Sequence, residues 1–183
     1  MKRRRGVGFA GFELDNGGIF MKYFAYGSNM SLKRIHSRIA NAKVFGVYLL
    51  KGYDLRFHMV GQDASAKCDA YKTNNPLDII EGVVFEIDSN SLLKLDKIEG
   101  VGNGYDRVAV NVVGADGDVI VAMMYVAKKI DESLLPYDWY KKHVVEGAKS
   151  AGLSASYIAA IDKVAVVTDP DKNRSNMEVK IYS

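Results

Sequence analysis

At 183 residues the chain fits one domain better than two and is long enough to bury a sizeable core. Hydrophobic residues make up 48% and charged residues 26%, a globular balance that argues against disorder. Much of the formal charge of +3 sits in Lys2, Arg3, Arg4 and Arg5, so a basic face for nucleic acid is not indicated, and the single cysteine, Cys68, excludes an internal disulfide.

In residues 1–20 the Arg cluster precedes a short, glycine-rich apolar stretch that Glu13 and Asp15 interrupt, which is not a secretion signal. This segment reads as a leader, a tag remnant or a mis-called start, expected to be poorly ordered, ahead of one domain over 21–183. The β-formers Lys22–Tyr26 predict a strand that ends at the turn cluster Gly27-Ser28-Asn29. Ser31 then caps a short helix over Leu32–Ile39. Two strands follow, Val44–Leu50 and Tyr53–Met59, around Lys51-Gly52. Residues 61–76, polar and ending in Asn74-Asn75-Pro76, read as a surface loop.

The β-branched run Ile79–Ile87 predicts a buried strand. Ser89-Asn90-Ser91 offers a cap for a helix over Leu92–Ile98 with Leu92 and Leu95 on its apolar face, and Glu99-Gly100 lies at its end. Tyr105–Val113 and Val119–Ala127 form a hairpin that turns at Asp116-Gly117. Tyr137–Ala151 and Ser154–Val164 read as two helices broken at Gly152, and residues 169–178 as a polar, mobile tail. Strands outnumber helices without regular alternation. The fold class is therefore α+β, a mixed sheet or small barrel with helices packed outside. No stretch has the length and apolarity of a membrane span.

Several chemistries are set aside. His36, His58 and His143 lie far apart, in no ligand spacing, and with one cysteine they make no metal site. Gly102-x-Gly104 lacks the third glycine of a dinucleotide fingerprint, and there is neither a P-loop nor a Gly-x-Ser-x-Gly elbow. Cys68 lies in a polar stretch with no histidine near it in sequence, and a nucleophilic role is not expected of it. What remains is Tyr23-Phe-Ala-Tyr-Gly-Ser-Asn-Met30. By itself it is a strand running into a turn, where Gly27 permits close backbone approach to a ligand and the turn amides can bind an anion.

In company that run says more. With Arg34-Ile35-His36 and Arg38 it resembles the signature loop of the γ-glutamylcyclotransferase family. Leu95-Asp96-Lys97-Ile98-Glu99-Gly100-Val101, leading to Tyr105, resembles a second family block, and Tyr140-Lys141-Lys142 with Gly147-Ala148-Lys149 and Gly152-Leu153 a third. The resemblance spans residues 22 to about 163. It implies a small mixed β-barrel with flanking helices, Glu99 as the catalytic residue, and Tyr23, Phe24, Ala25, Tyr26, Gly27, Ser28, Asn29 and Tyr140 as substrate-binding residues.

The reaction so implied is intramolecular. The α-amine of a γ-glutamyl group attacks its own γ-carbonyl, 5-oxoproline forms and an amine leaves, with no cofactor and no metal. The partner is a small γ-glutamyl compound rather than nucleic acid or membrane; the resemblance allows a homodimer, and the setting is cytoplasmic. Rival readings are cyclisation of γ-glutamyl-amines, of glutathione or of a biosynthetic γ-glutamyl intermediate, or a non-catalytic module that binds the γ-glutamyl group.

Overall fold

A computed structural model of the chain describes residues 12–15 and 18–183. Strands β1 (Phe12–Asp15), β2 (Gly18–Ala25), β3 (Lys43–Lys51), β6 (Ile79–Asp88), β7 (Tyr105–Gly114) and β8 (Val119–Ala127) share one sheet in the order β1-β2-β6-β3-β7-β8. The sheet closes on itself because β2 also pairs in parallel with β8, Tyr23 lying opposite Met123. Every other pairing is antiparallel. The result is the closed, five-stranded mixed barrel that the patterning suggested, with β1 added along the N-terminal half of β2.

Side chains from both faces of the barrel strands make the core, the inner face inside the barrel and the outer one beneath the packed elements: Phe24, Val84, Phe85, Val112 and Met124 are fully buried. Strands β4 (Tyr53–Val60) and β5 (Ala66–Lys72) form a separate hairpin. Five helices of the described residues pack outside: α1 (Leu32–Arg38), α2 (Ser89–Glu99), α3 (Asp138–Ala151), α4 (Ala155–Asp162) and α5 (Lys172–Val179). Among the described residues no helix is long and apolar enough to cross a membrane.

The local cues act much as read. The Ser31 side chain accepts from the Arg34 N–H and caps α1, and Ser154 caps α4 in the same way. Gly100 and Gly152 end α2 and α3 in the left-handed region, φ +63° and +72°, where a residue without Cβ is least strained. Gly117, at φ +84°, turns the β7–β8 hairpin.

Three expectations need correction, and the expectation for residues 1–20 falls mostly outside the described residues; within them, Phe12–Asp15 pairs with Gly18–Met21. The cap of α2 is Asp88, whose carboxylate accepts from the Ser91 N–H at 2.7 Å, not one of the serines after it. The loop predicted over 61–76 contains β5. Its sequence, Ala-Lys-Cys-Asp-Ala-Tyr-Lys, is too polar to read as strand, but tertiary contacts neutralise that polarity: Asp69 accepts from the Ala127 N–H at 2.7 Å and lies 2.9 Å from His58 Nε2. The polar tail over 169–178 is largely helix. Asp171 caps it, and buried Asp169 anchors it to the Trp139 indole N–H at 2.7 Å and to Arg174.

Candidate active site

The end of β2 leads into a tight turn, Ser28–Met30, in which the Met30 N–H bonds back to Gly27 and the Ser31 N–H to Ser28. The amides of Ser28 and Asn29 take no part in those two bonds. Gly27 needs no left-handed backbone, its φ being −114°. It is required by crowding instead: a Cβ there would lie 3.0 Å from Cys68 Cβ and 3.6 Å from Tyr140 Oη. The close approach is therefore to β5 and α3 of the protein itself.

Glu99, the last residue of α2, projects to this turn. Its Oε1 accepts from Asn29 Nδ2 at 3.1 Å and from Arg38 Nη1 at 2.8 Å. Asn29 Nδ2 also donates to Tyr23 Oη at 2.8 Å, and Arg38 Nη1 to Asn29 Oδ1 at 2.9 Å. The Glu99 side chain is 16% exposed and that of Arg38 20%. A surface carboxylate at a helix C-terminus would be set against the helix dipole; here it is drawn in and its charge balanced by Arg38.

Two cavities meet at this carboxylate. A small recess of about 30 Å³ is walled by Gly27, Ser28, Asn29, Tyr23, Tyr26 and Tyr125. A larger cavity of about 430 Å³ opens between the turn, the β4–β5 hairpin and α2. Ser28, Glu99, Tyr105 and Tyr140 border both.

The tyrosine hydroxyls fix the walls: Tyr140 Oη accepts from the Cys68 N–H at 3.0 Å, Tyr105 donates to the Cys68 carbonyl at 2.8 Å, and Tyr26 donates to the Tyr125 carbonyl at 2.5 Å. Burial pushes the Tyr23, Tyr26 and Tyr140 phenols well above their ordinary range, so they stay protonated donors. Burial also lifts the Cys68 thiol to about 12, which leaves it a wall group, not a nucleophile.

Of the residues singled out in the sequence, Glu99, Tyr23, Tyr26, Gly27, Ser28, Asn29 and Tyr140 thus converge. Phe24 and Ala25 do not: both are core residues of β2 and line neither cavity. Sequence reasoning quoted Arg34, Arg38 and Tyr105 within the family blocks but gave no site role to them or to Lys67, although Arg38 is the cation on Glu99 and all four line the larger cavity. One cue was available. Arg34 and Arg38 stand at i and i+4 on a short helix, a like-charge pair that is unfavourable alone and so calls for acidic partners from elsewhere. Those partners are Glu99 and Glu178. The three histidines serve structure: His36 lies 2.9 Å from the Ala42 carbonyl, His58 pairs with Asp69, and His143 is buried against Glu178 and Tyr182. Among the described residues no group of three or more His, Cys, Asp or Glu could hold a metal ion.

Comparison with known proteins puts this geometry in context. The AIG2-like family matches residues 79–161. A γ-glutamylcyclotransferase of Bos taurus is 34% identical over 146 residues, 78% of this chain and 77% of its own. That of Homo sapiens is 35% identical over 139 residues, 74% of this chain and 73% of its own. A crystal structure of an uncharacterized Homo sapiens protein superposes with a TM-score of 0.80 at 29% identity, over 90% of this chain and 99% of its own. A solved γ-glutamyl cyclotransferase does so at 0.78 and 27%, over 88% and 99%. With such identity spread over about three quarters of each chain and the same fold beneath it, the chain belongs to the γ-glutamylcyclotransferase family and is an enzyme of that class.

Proposed function

We propose that the protein closes the γ-glutamyl group of a γ-glutamyl amino acid on itself, releasing 5-oxoproline and the free amino acid, with Glu99 moving the protons. The observation that carries this reading is the position of the Glu99 carboxylate, between the Gly27–Asn29 turn and a cavity of about 430 Å³. That volume falls within the range of small-molecule sites.

The substrate brings its own nucleophile, so the protein has to supply folding of the glutamyl chain, proton transfer and charge stabilisation. At neutral pH the α-amine is an ammonium. Glu99 takes a proton from it, and the freed nitrogen attacks the γ-carbonyl carbon. The carbonyl oxygen becomes an oxyanion, for which the Ser28 and Asn29 amides are suited donors. As the oxyanion collapses, the bond from the carbonyl carbon to the departing nitrogen breaks and Glu99 returns its proton to that nitrogen; the second proton left on the ring nitrogen then passes through Glu99 to the freed amine, which departs as an ammonium and leaves Glu99 a carboxylate. Tyr23, Tyr26 and Tyr140 wall the space and exclude water. The same reading assigns the enzyme to the cytoplasm, a reducing compartment suited to a chain with one cysteine.

The test is Glu99→Gln, nearly isosteric and still able to hydrogen-bond Asn29. The variant should fold and bind a γ-glutamyl amino acid while 5-oxoproline release falls at least about a hundredfold, the scale of a general acid–base group. Release near the wild-type rate would remove Glu99 from the reaction. Profiling a panel of γ-glutamyl amino acids, γ-glutamyl-amines and glutathione then ranks the substrates.

A further inference from the structure

One buried pair of titratable side chains takes no part in ring closure. His58 Nε2 and an Asp69 carboxylate oxygen lie 2.9 Å apart, and the two side chains are 4% and 6% exposed. Neither residue lines either cavity. Burying a carboxylate costs free energy, and apolar side chains of the same size would pack at least as well, so such a pair answers a demand on geometry.

The other Asp69 oxygen accepts from the Ala127 N–H at 2.7 Å. Ala127 is the ladder partner of Tyr105, and the Tyr105 hydroxyl donates to the Cys68 carbonyl at 2.8 Å. Two successive residues of β5 are thereby fixed to one rung of the β7–β8 ladder. The Cys68 N–H, in turn, donates to Tyr140 Oη at 3.0 Å. The Cys68 backbone thus holds the hydroxyls of Tyr105 and Tyr140, the two tyrosines that border both cavities together with Glu99. Among the described residues β5 forms a ladder only with β4, so no barrel strand sets its height. At its start the Ala66 N–H bonds the Leu135 carbonyl at 3.0 Å; at its middle the Asp69 carboxylate is the tie to the barrel, and His58 carries that tie across to β4.

We propose that Asp69, backed by His58, is a positioning residue for the reaction: it sets the height of β5 on the barrel and, through the Cys68 backbone, places the Tyr105 and Tyr140 hydroxyls beside Glu99. This rests on the ring-closure reading and deepens it with two residues that the substrate does not touch. A shift of β5 moves two walls of the space in which the γ-carbonyl meets Glu99, and a misplacement of about 1 Å costs up to about a hundredfold in rate. The loss falls on the chemical step, so it belongs to kcat rather than KM.

Asp69→Val removes both bonds at similar size. Asp69→Asn keeps them, because its carbonyl can accept from Ala127 and its amide can donate to a neutral imidazole. With γ-glutamyl-alanine as substrate, Asp69→Val should lower kcat for 5-oxoproline release at least about tenfold while KM changes less than about threefold, and Asp69→Asn should recover most of kcat. In a Tyr105→Phe/Tyr140→Phe background the same Asp69→Val change should lower kcat far less, since no hydroxyl is left to place. Trp139, the one tryptophan of the chain, gives a readout that needs no turnover. Its ring lies 6.0 Å from that of Tyr140 and 5.1 Å from Nζ of Lys67, which stands on β5 just before Cys68. Its emission should shift in Asp69→Val and return in Asp69→Asn. Should Asp69→Val fail to fold, His58→Leu, which removes one of the two bonds, should show both effects in smaller measure. Unchanged kcat or unchanged emission, a loss carried by KM, or an equal kcat loss without the two hydroxyls would overturn the positioning role and leave ring closure standing. A wild type that released no 5-oxoproline from any γ-glutamyl compound would overturn ring closure, and the Trp139 emission would still decide whether Asp69 places β5.

Discussion

Arg38 is the residue on which the candidate site's geometry turns. One guanidinium nitrogen donates both to Glu99 and to Asn29, and the Asn29 amide in turn donates to Glu99 and to Tyr23. The four side chains come from β2, the turn after it, α1 and α2, so this network ties the elements together as well as aiming the carboxylate. Arg38→Met leaves a part-buried carboxylate without its cation, which costs about 1–3 kcal/mol of stability. It also frees Glu99 to swing away. Melting temperature and 5-oxoproline release should both fall, and Arg38→Lys should recover the first more than the second, because a flexible, strongly hydrated ammonium aims the carboxylate less firmly than a rigid guanidinium. Unchanged turnover in Arg38→Met would mean that Glu99 is held by Asn29 alone.

The neighbouring Cys68 gives the opposite prediction. Its thiol, raised to about 12, stays protonated at pH 8 and is sealed beneath Gly27 and Tyr140. Native enzyme incubated with iodoacetamide at that pH should keep its activity, and alkylation should appear only after unfolding.

Among the elements, α3 is the one that shapes the turn. Gly147 presses directly on the backbone there: a Cβ at that position would lie 2.5 Å from the Ser31 nitrogen and 2.9 Å from the Met30 carbonyl carbon. Backbone cannot rotate away as a side chain tip can. Gly147→Ala should therefore push α3 off the turn, costing about 1–3 kcal/mol and lowering the melting temperature by several degrees. Because Tyr140 rides on the same helix, turnover should drop as well. A melting temperature equal to wild type would show that α3 moves freely against the turn.

What could be read in the sequence follows the same division. The barrel strands, the β7–β8 hairpin and the cap of α1 are stated by local chemistry, as with Ser31 and Gly117, and their order could be read from it. Strand β5 and helix α5 could not, because each is made viable by partners far along the chain: His58 and Ala127 for Asp69, and Arg34 and Trp139 for Glu178 and Asp169. Glu99 and the Gly27–Asn29 turn were visible as separate motifs through family resemblance. Arg38, which joins them, stood in the first of those motifs with no role assigned to it.

For the whole molecule, the C-terminal segment closes the structure with charge rather than with apolar surface. No residue of α5 is fully buried. Glu178 reaches Arg34 and lies 2.9 Å from His143 Nε2, while Tyr182 Oη lies 2.8 Å from His143 Nδ1 and donates to Ser31 Oγ at 3.0 Å. Burial alone would raise the Glu178 carboxyl, but the His143 hydrogen bond and the Arg34 charge outweigh it and hold the group at about 2. Burial lowers the His143 imidazole below its ordinary value.

Both shifts are downward, so in each case the unfolded chain takes up its proton at a higher pH than the native protein does. The stability they give is present at neutral pH and is lost on acidification. His143 gives it up first, as pH falls below about 6.5, and Glu178 follows as pH falls from about 4.5 toward 2. Discounted for its partial exposure, the Glu178 contribution is about 2 kcal/mol. Urea unfolding at pH 7, 5 and 3 should show stability falling at each step. Glu178→Gln should be less stable at pH 7, because Arg34 loses its counter-charge, and should show a shallower loss between pH 5 and 3. If the variant kept the wild-type slope over that interval, the acid sensitivity would have to come from another carboxylate, with Asp169, held low by Arg174, as the next to replace.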